Sequence, residues 1–147
     1  MTLKIQLDNA MKAAMKAQDD LRLSAVRMVR AAIKNREIEL RAELDDRAVI
    51  EVLATMAKQR RESIKMYREG NRPELAEREE AELAILHEFL PTQLSAEEID
   101  RIVAQVIQEI DAHGMKDMGK VMKVITPLTA GKADGKAVNE AVRKQLA

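Results

Sequence analysis

Asp19-Asp-Leu-Arg-Leu-Ser-Ala-Val26-Arg-Met-Val29-Arg-Ala-Ala-Ile33-Lys-Asn35 sets the class of this fold. Val26, Val29 and Ile33 recur at steps of three and four, the spacing that stacks side chains on one face of an α-helix. No glycine or proline interrupts the stretch, and its alanines, leucines, arginines and lysine are strong helix formers. Asp19 and Asp20 stand where a carboxylate accepts the unpaired N–H groups of a first turn. The seam predicts a helix continuing to about Leu44, with Leu40 and Leu44 on its buried face.

The same period extends in both directions. Upstream, Leu7, Met11 and Met15 mark one face of a helix from Thr2 to Ala17. Downstream, Asp45 and Asp46 cap a third helix with Val49, Ile50, Leu53, Ala57, Ile64 and Tyr67 inward, ending at Gly70. Pro73 suits the first turn of a fourth helix, whose inward residues are Leu75, Leu83, Leu86 and Leu90 before Pro91 stops it. Leu90-Pro-Thr-Gln-Leu-Ser95 reads as a boundary. Ser95 and Glu98 form a capping box for a fifth helix with Ile99, Ile102, Val103, Val106, Ile107 and Ile110 on its face, ended by His113-Gly114. Two short helices follow, one with Met118, Val121, Met122 and Ile125 inward, the other with Val138, Val142 and Leu146. Pro127 is expected to kink or end the first of them. The predicted class is all-α: an N-terminal four-helix bundle over 1–91 and a smaller three-helix domain over 95–147.

Composition narrows the function. The 147 residues contain no cysteine, which excludes disulfides, zinc–thiolate sites and thiol catalysis. Tyr67 and Phe89 are the only aromatics, too few for a protein that stacks single-stranded bases on rings. No run approaches the ~18–20 apolar residues of a membrane span. The start, Met-Thr-Leu-Lys-Ile-Gln-Leu-Asp, lacks the apolar core of a secretory signal, so a cytoplasmic protein with no membrane partner is the expectation. The net charge of zero hides three blocks. Residues 1–72 carry 16 basic and 11 acidic side chains, 73–113 carry 2 and 11, and 114–147 carry 7 and 3. Two basic ends around an acidic middle favour a nucleic-acid partner.

Catalytic constellations are hard to assemble. A di-iron bundle wants Glu-x-x-His, but Ala84 and Ile110 stand three residues before His87 and His113, the only histidines. Ser24 and Ser63 fall mid-helix and Ser95 is a cap, none with a base beside it. No glycine-rich nucleotide loop exists. Arg60 falls mid-seam on the third helix, with Glu79 and Glu82 near the apolar face of the fourth, and a structural ion pair is expected because a buried charge without a partner is costly. No catalytic residue, metal or cofactor is assigned.

Binding has better candidates. The C-terminal helices each open on Asp, Gly, Lys: Asp117-Met-Gly119-Lys120 and Asp134-Gly135-Lys136, with Gly131-Lys132 between them. The aspartates suit N-caps, whereas a lysine in a first turn opposes the helix dipole. A helix start with a glycine and a misplaced lysine suits a phosphate, although solvating lysines on loop glycines remain the alternative. On the third helix Lys58, Arg61, Lys65, Arg68 and Arg72 form one basic stripe, and on the second Arg27, Arg30, Lys34 and Arg41 align beside the seam. Glu51, Glu62 and Glu69 stand close enough in sequence to make the stripe an ordinary solvated face.

Taken in order, Leu23-Ser-Ala-Val-Arg-Met-Val-Arg-Ala-Ala-Ile-Lys-Asn35, Lys58-Gln-Arg-Arg-Glu-Ser-Ile64, Leu90-Pro-Thr-Gln-Leu-Ser95, Asp117-Met-Gly-Lys-Val-Met122 and Gly131-Lys-Ala-Asp-Gly135 resemble the YqeY family over nearly the whole chain. Gly70-Asn-Arg-Pro73 departs from the family pattern in a loop. The resemblance implies two helical units like the tail of the B subunit of glutamyl/aspartyl-tRNA amidotransferase, which grips the body of tRNA. It therefore implies a free-standing tRNA-binding module, under a family label of carbon–nitrogen ligase with glutamine as amido-N-donor that this chain alone is not expected to carry out. Added to the helix-start reading, it favours a phosphate-binding set of Gly119, Lys120, Lys123, Gly131, Lys132, Gly135, Lys136 and Arg143, with the stripe Lys58, Arg61, Lys65, Arg68 and Arg72 secondary on its spacing alone. The rival reading is a helical adaptor docking onto an aminoacyl-tRNA synthetase or amidotransferase.

Overall fold

A computed structural model describes residues 2–147, and these contain seven α-helices and no strand. The helices are α1 (Leu3–Ala17), α2 (Asp20–Leu40), α3 (Asp46–Glu69), α4 (Pro73–His87), α5 (Ala96–Glu109), α6 (Met118–Thr129) and α7 (Gly135–Leu146). Their packing gathers into two compact units, the first ending at Pro91 and the second spanning Thr92–Ala147.

In the first unit the core is Leu7 of α1, Val26, Val29 and Ile33 of α2, Val49, Leu53 and Ala57 of α3, and Leu86 of α4. Each of these valines, leucines and isoleucine stabilises the fold by about 1.5–3 kcal/mol on leaving water. The helix starts follow the expected chemistry. Thr2 Oγ1, Asp19 Oδ1 and Asp45 Oδ1 accept the N–H groups of Ile5, Arg22 and Ala48. Asp46 does something else: its carboxylate accepts the Leu3 N–H at 3.0 Å and ties the start of α1 to the start of α3.

Several expected boundaries and faces shift. α2 ends at Leu40, because Arg41 turns left-handed at φ 54° and its N–H returns to the Ile38 carbonyl. Leu40 is consequently exposed, and Leu44 enters the core from the loop instead of from a longer helix. Met15 is half exposed, and Ala14 carries that part of the α1 face. α4 stops at His87, and Phe89, in the turn that follows, is the buried residue there.

In the second unit Ile99, Val103 and Val106 of α5 meet Val121 and Ile125 of α6 and Val138, Val142 and Leu146 of α7. Ser95 Oγ accepts the Glu98 N–H at 3.1 Å, and its hydroxyl donates to the Glu98 carboxylate, so this capping box closes through the hydroxyl. α6 runs through Pro127 to Thr129. Pro127 sits on the exposed side, where water can serve the carbonyl its missing N–H leaves unpaired.

Candidate nucleic-acid interface

The two Gly-Lys helix starts are built differently. Ahead of α6, residues Met115–Asp117 form a turn of 3-10 helix that opens at Gly114, in the left-handed region at φ 73°. The Asp117 and Met118 N–H groups are already bonded to the Gly114 and Met115 carbonyls. Asp117 makes no side-chain cap; its Oδ2 reaches back to the His113 N–H at 2.7 Å. That bond, helped by Lys120 and Lys116, holds the Asp117 carboxyl below its ordinary pKa. The expected N-cap is thus corrected: the chain is already coiled before α6, so the carboxylate serves the residue that begins the coil. Lys120 points its ammonium at this carboxylate across 3.8 Å.

α7 has an open start. The Asp134 carboxylate accepts the Lys136 N–H at 3.3 Å, as an N-cap should. A Cβ built on Gly135, the first residue of the helix, would meet nothing within 4 Å. Lys132 and Lys136 are exposed, and neither forms an ion pair among the described residues. The loop carrying Lys132 is pinned: the Gln93 side chain donates to the Gly131 carbonyl at 2.9 Å and the Leu94 N–H to the Lys132 carbonyl at 2.8 Å. Gly131 is required there by its backbone, at φ 74°.

Lys132, Gly135 and Lys136 are thus chain neighbours at the exposed start of α7, and the other candidates lie elsewhere in the unit. Gly119, Lys120 and Lys123 lie on the exposed side of α6. Arg143 sits in the last turn of α7, roughly 12 Å along the axis from Gly135, where a cation suits the helix C-terminus.

The stripe from Lys58 to Arg72 is not a bare cationic face. Packing of α4 against α3 brings glutamates to it, so that Arg68 pairs with Glu80, while Arg72 Nε lies 3.3 Å from Glu74 at the helix start. Arg61 is half-buried, and its charge, after burial itself, depresses the pKa of His87. Lys58 and Lys65 remain exposed. The neutralising carboxylates Glu74 and Glu80 come mainly from α4, not from the α3 glutamates adjacent in sequence.

A family model described as Yqey-like protein matches residues 4–146. The chain belongs to the YqeY family. Among curated relatives, this YqeY-family chain is 37% identical to Altered inheritance of mitochondria protein 41, mitochondrial, of Lachancea thermotolerans, over 71% of the chain and 57% of the relative. It is 31% identical to the protein of that name in Eremothecium gossypii, over 96% of the chain and 79% of the relative. The chain spans just over half the length of the first relatives it matches.

These names correct the cytoplasmic expectation, since the relatives are named as mitochondrial proteins. The physical reason is plain. A missing apolar signal core rules on secretion only, because an organelle-targeting segment is amphipathic and basic instead of apolar.

Proposed function

We propose that this YqeY-family chain is a tRNA-binding module that reads the shape and phosphates of folded RNA and does not itself transfer an amide group. The observation that carries the reading is the start of α7: an exposed helix N-terminus with open space over Gly135 and two exposed lysines, Lys132 and Lys136, within three residues of it along the chain. Backbone N–H groups, the positive end of the helix dipole and two cations together suit a phosphate. The near-absence of aromatics supports backbone contact over base stacking. On α6, the exposed Lys123 and Gly119 are further candidates, and Lys120 joins them only by leaving Asp117. The amidotransferase-tail likeness that the sequence motifs imply favours tRNA as the RNA. The same likeness supports a synthetase or amidotransferase as a partner, and the exposed Val124 and Leu128 on α6 give such a protein an apolar foothold. The two units are read as separate domains, a four-helix bundle over 1–91 and a three-helix tail over 95–147.

Titration of labelled tRNA at several salt concentrations tests this. Replacing Lys120, Lys132 and Lys136 with glutamate should weaken binding to many tRNAs alike and lower the log–log salt slope by roughly 0.7–0.9 for each phosphate no longer neutralised. A triple variant that binds as well as the wild type overturns the site.

A further inference from the structure

The groove between α1 and α2 holds more cations than the fold neutralises, four basic side chains against the two carboxylates of Asp8 and Glu37. Arg27, Arg30 and Lys34 succeed one another at steps of three and four on α2, and Lys4 reaches the same groove from α1. Together they line a cavity of about 460 Å³ with Leu7 and Glu37. Glu37 is the single carboxylate in that lining, and it is already shared: Lys4 pairs with it, the Leu44 N–H donates to it at 2.9 Å, and the Lys34 charge acts on it at longer range. Arg30 is aimed from α1, its Nη2 3.4 Å from Asp8 Oδ1 and its Nη1 2.7 Å from the Met11 sulfur. Arg27 and Lys34 form no ion pair among the described residues. Arg27 also borders an adjoining cavity of about 370 Å³ that includes Ser24.

The contrast with α3 is informative. There the packing of α4 supplies Glu80 to Arg68; on α2 the neighbouring helix supplies Asp8 to Arg30 but also adds a cation, Lys4, to the groove. Like charges side by side on a helix repel, so this row costs the folded state something that a bound anion would remove. A concave wall of low dielectric, here backed by the buried Leu7 and Ile33, concentrates the field of such a row. From residue 27 to residue 34 the row runs roughly 10 Å along the axis, longer than one phosphate group. Guanidinium forks at two positions suit paired phosphate oxygens.

We propose that the α1–α2 groove binds a chain of phosphate groups, either a phosphodiester backbone or an oligophosphate, through Arg27, Arg30, Lys34 and Lys4. The site lies wholly on the first unit and stands whether or not the start of α7 contacts phosphate.

The experiment is calorimetric titration of the full chain with two probes, bulk tRNA and tripolyphosphate, for the wild type and for Arg27→Gln/Lys34→Gln. Both side chains are exposed and the row is self-repelling, so the double variant should melt at or slightly above the wild type; Lys34→Arg, which keeps the charge, should keep the binding. We expect at least a tenfold loss of affinity in the double variant, with the tRNA salt slope lower by roughly 1.4–1.8 for two phosphates left without their cations. Loss on tRNA with no binding of tripolyphosphate identifies the nucleic-acid backbone; tripolyphosphate that binds and is lost in the same variant identifies a free oligophosphate. The proposal is overturned if the wild type binds neither probe, or if the double variant stays within twofold of it. Lys132→Glu/Lys136→Glu, run in parallel, separates the two sites. Loss in the groove variant alone supports the groove and overturns the α7 reading; loss in the α7 variant alone does the reverse.

Discussion

Arg60 Nη1 lies 2.8 Å from Glu82 Oε2, so a charge placed mid-seam on α3 meets one placed mid-seam on α4. Glu79 Oε2 stands 2.9 Å from the same nitrogen, and the three side chains are 16%, 8% and 16% exposed for Arg60, Glu82 and Glu79. Two carboxylates around one guanidinium leave little of either charge to desolvate unpaired. Arg60→Ala strands Glu79 and leaves Glu82 with only Arg78, 3.9 Å away, and should destabilise the protein by about 3 kcal/mol, the lower end of the range for a broken buried pair because the arginine keeps some water. Replacing all three with apolar residues of similar volume should cost much less. Urea denaturation of both variants checks this.

His87 carries a pH dependence. Burial lowers its pKa below the ordinary 6.5, and the nearby Arg61 cation lowers it further. The folded state then resists the proton that the unfolded state accepts, so stability is full above pH 6.5 and falls as the pH drops from there towards the folded value. His87→Gln should flatten that part of the curve. Melts at pH 7.5 and 5.5 should therefore differ more for the wild type than for the variant.

Gly119 is a glycine within α6 whose φ is not positive and whose added Cβ would meet nothing within 4 Å. Gly119→Ala should raise stability by about 0.5–1 kcal/mol, through helix propensity and a less disordered unfolded chain. A thermal melt reads the gain. If tRNA affinity falls in the same variant, the open space above the glycine is used by the ligand.

The lysines at the two helix starts should not be equivalent. Lys120 faces the Asp117 carboxylate, so Lys120→Glu places two carboxylates together and should lower stability slightly while changing tRNA affinity little. Lys136→Glu enters the true first turn of α7, where a carboxylate suits the dipole, and should weaken binding while stability holds or rises. Paired melts and titrations of the single variants distinguish them.

Limited proteolysis should cut first in the segment after Pro91. The fragment 1–91, with its core of Val26, Val29, Val49, Leu53 and Leu86, should survive and refold alone. Residues 95–147 should be marginal, as a core of mostly valines in about 50 residues stabilises little without a metal or disulfide. Circular dichroism of the two fragments reads both outcomes.

The helices, their order and most buried positions are legible in the chain because a period of 3.6 residues is a local property, and so are the caps of Asp19, Asp45 and Ser95. The partner of Arg60 was legible for a related reason: a cation inside an apolar seam demands a carboxylate at the facing seam, and α4 had two. Helix ends were less so. Nothing in Leu40-Arg41-Ala42 marks a stop, since arginine is a poor left-handed residue, and the break is enforced by Leu44 entering the core. Asp117 likewise looks like a cap until the preceding 3-10 turn claims its carboxylate.

Charge belongs to the packed structure alone. A row of cations along one helix reads the same whether its neighbour answers it or adds to it. Lys58 to Arg72 faces α4, which brings glutamates; Arg27 to Lys34 faces α1, which brings one carboxylate, Asp8, to Arg30 and a further cation, Lys4, from 23 residues before Arg27. Which row stays available to an anion depends on which helix lies beside it. That is set by long-range burial, and no local period in the sequence records it.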